Sequence, residues 1–147
     1  MSAVHDRDDL ADCAEIRAVL ARYMRAMRMR DVDVMDTVFT ADAVIDYTAI
    51  GGSRASWSDT KSWLRGMIDV ELFMLFVGDV YPNFADDRNT ADVESTWHWV
   101  FVAATGVPPL MIFGTYADQF VRTAEGWRIS ARTDQPALQV AVPAVET

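Results

Sequence analysis

Apolar side chains recur at Cys13, Ile16, Leu20, Tyr23 and Met27 in alternating steps of three and four, drawing one stripe along a helix over Asp9–Met29. Asp31-Val32-Asp33 interrupts the stripe. Asp33 can cap a short second helix that turns Met35, Val38 and Phe39 inward, and Thr40-Ala41-Asp42 ends it. Ala43–Tyr47 is short and β-rich, and Gly51-Gly52-Ser53 has the loop chemistry that terminates a strand. Ser58 or Asp59 can cap a third helix reaching about Asp69, with Trp63, Leu64, Met67 and Ile68 on its buried side.

Beyond Asp69 the pattern turns to strands. Leu72–Tyr81, Ala91–Ala104, Leu110–Thr123 and Gly126–Thr133 are rich in Val, Phe, Trp, Tyr and Thr, and the turns between them are short enough for antiparallel neighbours. Helices first and a strand meander after is the order of a single α+β domain, with a core over about residues 9–132 and a tail over 133–147. Trp97, Trp99 and Phe101 share one strand face while His98, Val100 and Val102 share the other. Two apolar faces in one sheet predict that one side lines the interior and the other packs on a second copy, a homodimer.

Composition narrows the partners. Thirteen cations, twelve of them Arg, face 22 acids for a net charge of −9, which opposes binding to nucleic acid or to an anionic membrane surface. The longest apolar run, Leu72–Val77, is far short of the ~20 residues of a membrane span, and the polar, acidic Met1–Asp12 does not read as a signal peptide. Cys13 is the only cysteine, so an internal disulfide and a Cys-based zinc site are excluded, and a cytoplasmic location is the simplest expectation. No phosphate loop, nucleophile elbow or His-Glu-x-x-His helix occurs; neither a metal nor a cofactor is expected.

A few residues can carry chemistry. Tyr23 is a phenol on an apolar stripe, either a hydrogen-bond donor to a ligand or a core residue with its hydroxyl at a polar edge. Asp118 alternates with Gly114, Tyr116 and Phe120, so its carboxyl must be protonated or paired, for instance with Arg122 or Arg132. His98 is the only histidine outside the N-terminal stretch that holds His5; it suits proton transfer, or a structural place between two tryptophans. Asp46 and Tyr47 adjoin on a strand, so only one of them can point inward. Tyr47, Trp63, Phe76, Trp97, Trp99, Tyr116 and Phe120, with eight methionines in the chain, can line a pocket for a small hydrophobic ligand, or serve as core and interface.

The order of these elements, with Ala21-Arg22-Tyr23, Arg30-Asp31, Phe39–Tyr47, Gly114–Asp118 and Glu125-Gly126-Trp127-Arg128, resembles the SnoaL-like branch of the nuclear transport factor 2-like superfamily. The resemblance implies a cone of curved antiparallel sheet packed against three N-terminal helices, and cofactor-independent acid–base catalysis of the lyase or isomerase kind on a polyketide-, steroid- or terpenoid-like ketone, enol or alcohol. It implies a tyrosine donor at Tyr23, a protonated acid at Asp118, and a strand histidine at His98, the last by spacing alone. Asp46 could assist. The resemblance also has gaps: Tyr47 falls where isomerases place their base, and Arg28 and Leu75 fall where dehydratases place an Asp–His dyad. A non-catalytic ligand-binding or assembly module is therefore the alternative.

Overall fold

The computed structural model describes residues 7–143; His5 lies outside them. Helix α1 (Arg7–Met29) leads through a 3₁₀ turn (Val32–Thr37) into β1 (Phe39–Asp46), a second 3₁₀ turn (Thr48–Ile50), β2 (Arg54–Ser56), α2 (Trp57–Met67) and then β3 (Leu72–Phe84), β4 (Thr90–Val102), β5 (Leu110–Thr123) and β6 (Gly126–Ala141). One curved, unclosed sheet results, in the order β2-β1-β6-β5-β4-β3. The expected helix stripe buries Ile16, Leu20, Tyr23 and Met27 in its concave face, while Cys13 stays at the margin.

Four expectations are corrected. Thr40–Asp42 does not end a helix but lies within β1, in the irregular stretch between the pairs Phe39↔Ile129 and Val44↔Ala131. That bulge gives the polar residues a place in a strand. The sheet is not wholly antiparallel, because β1 runs parallel to β6. Residues 133–141 are not a tail: β6 continues to Ala141 and pairs with β5 along its length, as in Met111↔Val140. Helix α2 starts earlier than expected, capped by Ser56, whose Oγ accepts from Asp59 N at 3.2 Å. Trp57 at its first position packs 4.6 Å from the Phe39 ring and donates to Asp36 Oδ1 at 2.8 Å.

The N-terminal part of α1 is fastened to the strand turns. Asp12 is buried and accepts from Arg88 and Arg122 and from Trp127 Nε1, at 2.8–3.0 Å. Burial alone would raise its carboxyl, but those bonds from Arg122, Trp127 and Arg88 reverse the effect and hold it below the ordinary carboxylate range. One turn along, Glu15 Oε1 accepts from Trp127 N at 2.9 Å.

Candidate active site

Alternation along β4, β5 and β6 turns Trp97, Trp99, Tyr116, Asp118, Arg132 and Asp134 toward the helices. At Gly114 the β5–β6 register shifts, and a Cβ there would lie 2.6 Å from the Trp97 ring and 2.5 Å from Gln135 O. Only glycine lets Trp97 lie flat on the strand, where it stacks on Tyr116 with ring centroids 5.5 Å apart. From the other side come Tyr23 of α1 and Tyr47, just past β1, whose hydroxyls meet at 2.8 Å.

Between these layers lies a cavity of about 10 Å³, room for about one water, lined by Tyr23, Tyr47, Tyr116 and Asp134 with an apolar wall that includes Met27, Leu64, Met67, Leu75 and Trp99. Burial pushes the three phenols well above their usual range, so each remains a neutral donor. The same effect raises the Asp134 carboxyl to about 7, against the opposing pull of the Arg132 charge. Its Oδ1 is buried without a partner, as are Trp97 Nε1 and Arg132 Nη1. A carboxyl that is half ionised near neutrality, beside neutral donors in an apolar enclosure, can accept and return a proton.

Asp118 is cross-strand from Arg132 and forms a two-pronged pair with it, Nε to Oδ1 and Nη2 to Oδ2, both at 2.7 Å and both fully buried. Burial raises the Asp118 carboxyl, and the guanidinium opposes that rise. Because arginine stays protonated and takes both oxygens, Asp118 is an acceptor here; the protonated donor that the resemblance implied is not what this geometry holds. Arg132 in turn lies 3.8 Å from the Tyr116 ring centroid and 4.5 Å from that of Tyr23. The pair thus forms the floor beneath the phenols.

Not every expected site residue is at the cavity. His98 sits on the outer face of the sheet, stacked between Phe76 and Phe113 at 4.7 and 5.5 Å. Phe76 is 37% exposed there, so neither residue reaches the phenols, as strand alternation opposite Trp97 and Trp99 requires. Asp46 also turns away. It accepts from the Thr48 N–H and hydroxyl, which hold its carboxyl below the ordinary range. Trp63 backs Tyr47 at 5.8 Å, and Phe120 is wholly buried in the core. Leu75 is in the wall, and Arg28 is exposed in the last turn of α1. Asp134, which sequence reasoning missed, lies in the stretch read as a tail.

Among the described residues no three His, Cys, Asp or Glu side chains come close enough to share a metal ion, and no helix is long and apolar enough to cross a membrane. A shallow surface depression of about 570 Å³ lies on the outer side of the sheet against Tyr81, Asp92, Glu94 and Gln119.

A curved sheet closed by helices over a cavity of phenols and one carboxyl defines an α+β cone of the nuclear transport factor 2-like kind. The SnoaL-like domain family model matches residues 8–133, and the chain belongs to that family. An uncharacterized protein of Mycobacterium tuberculosis is 32% identical over 146 residues, covering 95% of this chain and 98% of its own. Among solved structures, a candidate scytalone dehydratase from Novosphingobium aromaticivorans superposes with a TM-score of 0.81 at 16% identity, covering 95% of this chain and 97% of its own. A hexachlorocyclohexane dehydrochlorinase from Novosphingobium barchaimii gives 0.79 at 13%, covering 95% and 96%. At these identities the structural likeness establishes the fold.

Proposed function

We propose that the protein is a cofactor-independent acid–base enzyme of the lyase or isomerase type, acting on a small hydrophobic ketone, enol or alcohol. The observation that carries this reading is the Asp134 carboxyl, raised to about 7 in a cavity it shares with Tyr23, Tyr47 and Tyr116. Asp134 takes a proton from the substrate, and the hydroxyl proton left free in the Tyr23–Tyr47 pair is donated to the substrate oxygen as charge develops there. The proton on Asp134 then goes back to another carbon or to a departing group. Proton transfer thus falls to Asp134, not His98, and oxygen binding to Tyr23 and Tyr47, with Asp118 anchoring Arg132 below.

The test is a screen of apolar ketones and alcohols for isomerisation or elimination. On a substrate that turns over, Asp134→Asn should lower kcat by about 10²–10⁴-fold, the usual contribution of a positioned base. Tyr23→Phe should also lower kcat, while His98→Ala should leave it unchanged. An Asp134→Asn enzyme as fast as wild type would overturn the reading. The tightness of the inner cavity and the lack of a dyad at Arg28 and Leu75 favour a second reading, a non-catalytic ligand-binding module. Saturable binding of compounds that never turn over would select it. We also propose that two copies associate through the outer face around Phe76, His98 and Phe113.

A further inference from the structure

Trp97 lies inward on β4, directly across from Gly114 of β5, which pairs in turn with Pro136 of β6. The close approach at Gly114 shows where the indole goes. A Cβ there would lie 2.6 Å from Trp97 Cζ2, 2.5 Å from Gln135 O and 2.8 Å from Pro136 Cα, so the ring crosses β5 over the glycine and reaches β6. Cζ2 is the ring carbon nearest the N–H edge, and that edge therefore meets β6 beside Asp134. The flat side of the ring rests on Tyr116 at an interplanar angle of 29°, and Trp99 packs against it with centroids 6.1 Å apart.

The other groups around Asp134 leave this donor a distinct part. Tyr23, Tyr47 and Tyr116 are neutral phenols, and what α2 and β3 bring to the wall, Leu64, Met67, Phe73 and Leu75, is apolar. Two charges reach the carboxyl, Asp118 raising it and Arg132 lowering it. Arg132 is committed elsewhere, since Nε and Nη2 hold Asp118 and the guanidinium also faces the Tyr47 hydroxyl, whose rise it opposes. Two N–H groups favour the charged form of Asp134 by hydrogen bonding, the Gln135 backbone and the Trp97 indole. The first is there whatever the side chains; the second is a choice of residue.

We infer that Trp97 is a positioning residue for Asp134: its indole N–H, carried across β5 at Gly114, donates to the carboxylate formed when Asp134 loses its proton, and so decides how readily the site takes a proton up. The inference rests on the proton-transfer role proposed for Asp134. Trp97 Nε1 and Asp134 Oδ1 are both buried without a partner, one a donor only and the other an acceptor, so their pairing satisfies two orphaned groups at once. Packing on Tyr116, Trp99 and Gly114 keeps the donor in place while the carboxyl gains and loses its charge.

Replacing Trp97 by benzothienylalanine, which keeps the ring and puts sulfur where the N–H stood, tests this in the full chain. The readout is the pH titration of the Asp134 carboxyl by carbon NMR, its resonance assigned by its loss in Asp134→Asn. In wild type the midpoint stands at about 7. Without the donor the charged form loses a bond, and the midpoint should rise by about one pH unit or more. Trp97→Phe, which also lacks the donor, should move it in the same direction; if that variant fails to fold, the isosteric replacement still decides. The same replacement at Trp99, an indole of the same wall, should leave the midpoint where it is. An unmoved midpoint in the Trp97 variant, or an equal rise from the Trp97 and Trp99 variants, would overturn the inference. On a substrate that turns over, the acidic limb of the kcat/KM profile should rise with the carboxyl midpoint. A limb that stays while the midpoint moves would keep the hold of Trp97 on Asp134 and count against Asp134 as the base.

Discussion

Asp134 illustrates how one residue's surroundings set its chemistry. An aspartate in an unfolded chain titrates near 4, and burial in the cone moves this one to about 7. The folded state therefore holds a proton that the unfolded state has released between those values. Its contribution to stability is fully present below about pH 4 and is lost as pH rises through about 7. Replacing it with Asn should flatten that part of the profile, which denaturant midpoints of both proteins at pH 5 and pH 8 would reveal. Wild type should lose stability relative to Asp134→Asn between those two values. A constant difference would mean that the carboxyl titrates normally. Tyr23 was legible from its place on the helix stripe, and Asp118 from its strand alternation. Asp134 was not, because Thr133–Gln135 has no apolar period of its own and draws its burial from Trp97 and Tyr116 on other strands.

At the level of elements, the α1–hairpin clamp converges on Asp12. Removing Asp12 leaves the buried Trp127 N–H without its acceptor, while the two partly exposed arginines turn to water, so Asp12→Ala should destabilise the fold by about 1–3 kcal/mol, measured by urea unfolding at neutral pH. Because its bonds hold the Asp12 carboxyl low, that contribution should fade as acid protonates it. The helix stripe and the β3–β5 strands were readable because each repeats its period several times. The two ends of the sheet were not. Arg54–Ser56 is too short to show alternation, Thr40–Asp42 is polar because it bulges, and β6 beyond Thr133 is exposed on most of its side chains, so its sequence resembles a tail. The parallel pairing of β1 with β6 depends on contacts between distant parts of the chain, which local pattern does not encode.

For the whole molecule, the outer face carries the expectation of association. Phe76, His98 and Phe113 form an aromatic row that the chain's own helices do not cover. Light scattering at micromolar concentration should give twice the 16.5 kDa chain mass, and Phe76→Asp should return a monomer. A wild-type monomer would remove the proposed association and leave the cavity chemistry untouched. Another property follows from where α1 and β1 meet β6. Phe39 pairs with Ile129, and Asp12 and Glu15 are held by Trp127. During synthesis, the first helix and first strand leave the ribosome long before the segment that receives them exists. The apolar stripe through Ile16, Leu20 and Met27 meets β3 first and is covered in full only once Trp127 and Ile129 emerge. Contacts so distant in sequence slow folding and lengthen the exposure of sticky surface. The cone is therefore closed only when β6, the last of the described strands, takes its place beside β1 and α1.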